Sequence, residues 1–224
     1  MLRLQDNPPM TLPGAPPLDA TPGAWSAAYC KPRQEKALAW DLCRRDVPYF
    51  LPMVQRETSS GGRRRRNMYP MFKSYLFFAG GEDERLAVTK TNRLVQLVEI
   101  DPAAQQTFRR EVCSLELALQ SAPERIELYP QLANGKRVLI TGGPMKGAEG
   151  IILNADNPTR LWIGITMMGA GATVEIHADL VEVVKHSEPR SSAACNFELH
   201  IDGQLVHSRQ LVNESHSHRL HSSP

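Results

Sequence analysis

Val47-Pro48-Tyr49-Phe50-Leu51-Pro52-Met53-Val54, then Ser59-Ser60-Gly61-Gly62, then Phe72-Lys73-Ser74-Tyr75-Leu76-Phe77-Phe78-Ala79 decide the fold class of the first half of the chain. Two runs rich in apolar and β-preferring residues flank a serine and glycine cluster with turn chemistry, which predicts a long hairpin. Upstream, Trp25 to Cys30 is a short apolar run. Lys31-Pro32 then opens a segment with Leu38 and Leu42 four apart, the pattern of a strand passing into a helix. Downstream, Glu82 to Lys90 reads as a short helix and Leu94 to Ile100 as a strand. Asp101-Pro102 supplies a capping oxygen and a proline suited to a helix start. Phe108, Val112, Leu115 and Leu119 follow at spacings of four, three and four, one buried helical face. Residues 24–120 are therefore expected to form an antiparallel sheet with flanking helices.

Around residues 121–131 the periodicity stops between Pro123 and Pro130, which is linker chemistry. Beyond it, Lys136 to Thr141, Gly150 to Leu153, Arg160 to Met168, Thr173 to His177 and Leu180 to Val184 alternate or run apolar between Gly, Asn and Pro breaks. Residues 132–185 thus read as a five-stranded SH3-like β-barrel, and the whole chain as α+β. Residues 1–23 are proline-rich with few large apolar groups, and a flexible arm is expected. Residues 186–224 carry six of the seven histidines and many serines and are expected to be mostly disordered. Within them Phe197, Leu199 and Ile201 alternate up to Asp202-Gly203, a hairpin signal that is marginal without a partner.

The 224 residues are 42% apolar and 22% charged with a net charge of +2, a globular balance that excludes a simple polyanion binder. Nucleic-acid contact must be local, and positive charge concentrates at Arg63-Arg64-Arg65-Arg66 and between Lys31 and Lys36. Cys30, Cys43, Cys113 and Cys195 show no C-x-x-C pair or zinc spacing. The amino terminus lacks the layout of a signal peptide, and no apolar run approaches the ~20 residues of a membrane span, so a soluble cytoplasmic protein is expected. No Ser-His-Asp order, phosphate loop or carboxylate pair stands out, and Cys30 with a distant histidine makes a poor nucleophile. His216-x-His218 is the closest histidine pair, of a kind that disordered tails carry idly. No enzyme activity, cofactor or metal is expected.

The order Trp25, Tyr29-Cys30-Lys31-Pro32-Arg33-Gln34-Glu35-Lys36, Phe50-Leu51-Pro52 and Phe72-x-x-Tyr75-Leu76-Phe77 resembles the amino-terminal domain of the NusG family. Gly135-Lys136-Arg137-Val138, Gly142-Gly143-Pro144-Met145-Lys146-Gly147 and Glu149-Gly150 resemble the KOW motif where that family carries it. The two resemblances cover about residues 24–185. The Tyr29-Cys30-Lys31 start is more similar to specialised RfaH-like paralogs than to housekeeping members.

The resemblance implies a transcription elongation or antitermination factor, monomeric, whose first domain docks on the clamp helices of RNA polymerase and suppresses pausing. Tyr29, Phe72, Tyr75 and Phe77 fall on the docking positions, and aromatics are favoured interface anchors. For Phe77 especially, ordinary core packing is an equal reading. Where relatives carry Pro-Gly or Pro-Asn, this chain has Lys73-Ser74, which removes proline's fixed φ and a tolerance for positive φ. Thr89 and Thr91 occupy the region facing the gate loop. Lys31, Arg33 and Lys36 lie where specialised paralogs meet non-template DNA, a contact sensitive to salt. Arg63, Arg64, Arg65 and Arg66, at or beside the hairpin tip, suit phosphates of DNA or nascent RNA, or polymerase acids. In the barrel, Met145, Met167 and Met168 match positions that meet a ribosomal small-subunit protein or the Rho terminator, while Ala170 replaces a common basic residue there. Gly142, Gly143, Gly147, Gly150, Gly164, Gly169 and Gly171 would each disfavour a helix interior by about 1 kcal/mol, so this segment is expected to be constitutively β rather than a refolding helical hairpin. A ribosome- or RNA-binding KOW protein without a polymerase role is the rival reading.

Overall fold

In the computed structural model, alternation along β1 (Ala24–Cys30) sends Trp25, Ala27 and Tyr29 to one face and Ser26, Ala28 and Cys30 to the other. Described are residues 6–60, 63–121, 123, 126–129, 135–154, 157–184, 198–201 and 204–207. After β1 come α1 (Glu35–Cys43), β2 (Tyr49–Phe50), the paired β3 (Met53–Ser60) and β4 (Arg63–Pro70), β5 (Tyr75–Gly80), α2 (Glu82–Thr89), β6 (Leu94–Glu99) and α3 (Gln105–Ser121). The first sheet has the order β2-β5-β1-β6 and is antiparallel. Ala28, Cys30, Leu76 and Phe78 pack with Leu38, Ala39 and Leu42 of α1 and Val88 of α2. On the opposite face Trp25 and Phe77 meet Phe108 of α3, with ring centroids 6.0 and 5.3 Å apart. Phe108, Val112, Leu115 and Leu119 are all buried, as their spacing requires.

The expected hairpin is present in altered form. Its turn falls at residues 61–62, but β3 pairs with the arginine-bearing β4, from Met53↔Pro70 to Ser60↔Arg63. The two apolar runs pair only through Tyr49↔Phe78 and Phe50↔Phe77. Val47–Ala79 thus contains a basic two-stranded ribbon, β3 with β4, between the two strands β2 and β5 of the first sheet.

Residues 6–23 are not the flexible arm that their prolines suggested. Proline removes N–H donors but leaves carbonyl acceptors, and here those acceptors find partners. The Arg109 guanidinium on α3 donates to the carbonyls of Leu18, Asp19, Thr21 and Gly23 at 3.3, 2.9, 2.6 and 3.1 Å. The Tyr49 hydroxyl donates to Pro9 O and Leu51 N to Met10 O, while Thr11 bridges Phe50. The arm thereby covers the β2 edge of the sheet.

The second sheet comprises β7 (Glu127–Tyr129), β8 (Arg137–Ile140), β9 (Glu149–Asn154), β10 (Asn157–Ile165), β11 (Ala170–Glu175) and β12 (Val181–Val183). Its order is β12-β8-β9-β10-β11-β7, antiparallel throughout. All five expected strands form, and the segment read as linker adds a sixth, β7. No pairing closes β12 onto β7 among the described residues. Residues Met1–Val184 make one compact unit that includes both sheets; Lys185–Pro224 make a second, in which β13 (Glu198–Ile201) pairs with β14 (Gln204–His207). No helix among the described residues is long and apolar enough to cross a membrane.

Candidate functional site

Tyr29 and Tyr75 are register partners in β1 and β5, and their rings lie 5.0 Å apart. Phe72 stacks edge-on against Phe77 at 5.6 Å, and Phe77 against Phe108. The four expected docking positions therefore hold two contacting pairs, Tyr29 with Tyr75 and Phe72 with Phe77, the second of which reaches Phe108 of α3. Phe77 is fully buried and belongs to the core. Phe72 is only 4% exposed and Tyr75 9%, while Tyr29 is half-buried. Burial, with a smaller contribution from Tyr29, raises the Tyr75 phenol above its ordinary value.

The turn between Phe72 and Tyr75 keeps a left-handed residue without glycine or asparagine. Ser74 has φ +63°, a conformation that L side chains disfavour. Its N–H donates to the buried Glu35 carboxylate of α1 at 2.7 Å, and its carbonyl accepts from Cys30 N at 2.8 Å. An acid on a neighbouring helix thus supports the turn in place of a permissive residue. The Cys30 thiol beside it is pushed up to about 12, by burial and then by Glu35, so it stays protonated.

The expected cations do not act alike. Lys31 and Arg33 are exposed where β1 turns into α1. The Lys31 ammonium donates to Asn92 O, and its N–H to Arg93 O, which docks the loop after α2 onto this end of the domain. Lys36 turns elsewhere: its ammonium donates to Asn7 Oδ1 and Met68 O, and desolvation lowers its proton affinity. It holds the arm to β4 and is withdrawn from the basic face. Arg93, which the sequence reading did not single out, joins that face by donating to the Asp41 carboxylate and to Gln34. The Thr89 and Thr91 hydroxyls donate to Arg85 O and Val88 O. On the ribbon Arg64 and Arg66 are exposed, Arg66 pairing with Glu57 at 2.9 Å, and Arg63 and Arg65 stand opposite Ser60 and Thr58 in register.

In the second sheet Met145 and Met168 are buried and Met167 half-buried, the last two in a 3-10 turn at Thr166–Met168 rather than on a strand. These methionines adjoin the contact with α3. Glu111, 8% exposed, accepts from Thr166 N at 3.0 Å and from the Thr166 hydroxyl. Ser114 Oγ accepts from Glu149 N, and Ser121 Oγ donates to Pro144 O, both at 2.9 Å. Arg137 lies 3.8 Å from Glu111 and 3.7 Å from Glu149, and Arg110 lies 3.8 Å from Glu149. Burial raises the Glu111 carboxyl above its ordinary value, against the Thr166 bonds and the two arginines. No cluster of metal-ligating residues occurs among the described residues, and His216 and His218 lie outside them.

The aromatic sheet face, the β1–α1 basic end and the β3–β4 ribbon all lie between Ala24 and Ser121. Residues 23–112 match the family model of the transcription termination factor nusG. The nusG-matching segment runs from the end of the arm through β1 to Val112 of α3, and so includes the whole first sheet. Solved structures with similarity include one described as "Domain interaction in Thermotoga maritima NusG", at 16% identity over 72% of this chain and 97% of that chain, with a TM-score of 0.36. Another is an MjSpt4:Spt5 complex in conformation B, at 14% identity over 73% of this chain and 99% of that one, with a TM-score of 0.22. No curated protein matches the chain.

Proposed function

We propose that this chain is a non-enzymatic transcription elongation or antitermination factor that binds the clamp helices of RNA polymerase through its nusG-matching domain. The carrying observation is that two contacting ring pairs, Tyr29 with Tyr75 and Phe72 with Phe77, fall within the matched segment. Large aromatics gathered on one face supply apolar area with few rotamers to freeze, as interface anchors do. Phe77 serves as the buried base of these pairs, and Tyr29, Tyr75 and Phe72 as their outer members. Because Phe72 and Tyr75 are nearly inaccessible as the chain stands, docking requires that the segments over them move. Thr89 and Thr91 would meet the gate loop. Lys31, Arg33 and the arginines of β4 would meet nucleic-acid phosphates, which predicts salt-sensitive binding. The second sheet, as a KOW barrel, would recruit a ribosomal small-subunit protein, Rho or another factor through Met145, Met167 and Met168. The RfaH-like assignment and cytoplasmic residence belong to the same reading.

The test is retention of purified RNA polymerase on the immobilised full chain, beside Tyr29→Ala, Phe72→Ala and Tyr75→Ala, each checked for folding by circular dichroism. Retention by wild type and its loss in folded variants is the expected result. Wild type that ignores polymerase but co-sediments with ribosomes or RNA would replace this reading with an RNA-binding one.

A further inference from the structure

Between α3 and the second sheet, Glu111, Arg137, Glu149 and Trp162 line a cavity of about 10 Å³, close to the space that one water molecule needs. Two polar atoms of these residues have no protein partner. Trp162 is 2% exposed, and its indole Nε1–H finds no acceptor among the described residues. Glu149 Oε2 is also buried and accepts no hydrogen bond; the Arg137 guanidinium lies 3.7 Å away, beyond hydrogen-bond reach. Each carboxylate oxygen of Glu111 accepts one bond from Thr166, which leaves a further lone pair on both. An orphaned donor and an orphaned acceptor on one small cavity are costly as they stand, and are satisfied together by a molecule that both accepts and donates.

We propose that this cavity is the site of one structural water, which accepts from Trp162 Nε1 and donates to Glu149 Oε2 and to Glu111. Three bonds are the usual number for a buried water, and these three come from three elements, β10, β9 and α3. A cation there would face the Arg137 guanidinium and the indole donor, and an anion would face two carboxylates. A neutral molecule with both hydrogens and lone pairs suits all of these groups, and water is the size that the volume allows. The water brings the Trp162 side chain into the hydrogen bonding between α3 and the second sheet, to which it otherwise contributes only packing.

The test needs no polymerase, so its outcome is separate from that of docking. In the isotope-labelled full chain, Trp162→Phe and Trp40→Phe assign the indole protons, and cross-relaxation with water is read at each by nuclear magnetic resonance. Trp162 Nε1–H should show a rotating-frame cross-peak to water of sign opposite to the diagonal, which marks a water held beside it rather than chemical exchange of the proton. Glu149→Gln keeps an oxygen acceptor and should keep the cross-peak, whereas Glu149→Ala should lose most of it. Thr166→Val removes a hydroxyl whose exchanging proton imitates a water, and should leave the cross-peak in place. A crystal structure of the full chain should show one water within about 3.2 Å of Trp162 Nε1. No cross-peak at Trp162 in wild type would mean a dry cavity and overturn the inference. So would a cross-peak lost in folded Thr166→Val, one unchanged in folded Glu149→Ala, or a Trp162 indole proton that exchanges into heavy water as fast as that of the exposed Trp40.

Discussion

Ser74 holds the turn between Phe72 and Tyr75 at φ +63°, at a cost of roughly 1–2 kcal/mol for an L residue. Glu35 offsets that cost by accepting the Ser74 N–H from a buried position. Removing the acceptor leaves a donor unsatisfied, so Glu35→Ala should destabilise the chain by about 1–3 kcal/mol. Ser74→Gly relieves the strain but loosens the unfolded chain, for a net gain of roughly 0.5 kcal/mol. Urea unfolding of the two single variants and the pair measures both effects. Ser74→Gly should help more in the Glu35→Ala background than in wild type, because the acid and the glycine remedy the same strain; strictly additive values would dissociate Glu35 from the turn. The motif Lys31 to Lys36 is prominent in the sequence, yet its members divide: Arg33 faces solvent, Glu35 supports the turn and Lys36 anchors the arm. Residue type announced the charge but not the direction in which each side chain would leave the helix start.

At the scale of elements, β10 and β11 approach so closely at the register pair Gly164↔Gly171 that a Cβ on Gly171 would lie 2.7 Å from the Gly164 Cα and from the Trp162 ring. Gly171→Ala should therefore cost about 1–3 kcal/mol through overpacking, visible as a lowered Tm with altered near-UV signal from Trp162. Arg109→Ala should free residues 6–23, and limited proteolysis should then cut within them while wild type resists. Strands, helices and their order were legible because apolar periodicity is local, and the α3 stripe Phe108, Val112, Leu115 and Leu119 was read correctly from spacing alone. A second stripe on the same helix, Glu111, Ser114, Ala118 and Ser121 at spacings of three, four and three, went unread because most of it is polar. Three of these side chains bond to the second sheet, so polar residues beside an apolar stripe marked a helix covered on two sides. The order of the arm is hidden for a related reason: its carbonyls accept from a distant arginine, which composition does not reveal. Part of the linker became β7 because β11 offered an open edge.

For the whole molecule the α3 contact joins the two sheets through Glu111, Ser114 and Ser121, and Glu111 is the buried acid in it. Glu111 on α3 is faced by Thr166, by Arg137 from β8, by Arg110 from α3 itself and, across Arg137, by Glu149 from β9. Its carboxyl is raised in the folded chain, with burial as the largest cause. The folded chain therefore holds a proton that the unfolded chain releases between the ordinary carboxylate value and the raised one. Stability from this group is fully present below that window and falls as pH rises through it. Glu111→Gln keeps a carbonyl for Thr166 N and offers an amide to the Thr166 hydroxyl, which can turn to accept. This variant should be at least as stable as wild type above the window and should lose the pH dependence. Glu111→Ala leaves Thr166 without its acceptor and should loosen the contact by about 2–3 kcal/mol. Hydrogen exchange in α3 and β10 across the pH range measures all three proteins. Exchange should quicken in wild type as pH rises, after correction for intrinsic rates, stay level in Glu111→Gln and be fast throughout in Glu111→Ala. If loosening this contact uncovers Phe72 and Tyr75, Glu111→Ala should also retain more polymerase than wild type. Unchanged retention in a chain with demonstrably faster exchange would show that Phe72 and Tyr75 are covered from elsewhere, with the arm at residues 6–23 the next segment to release.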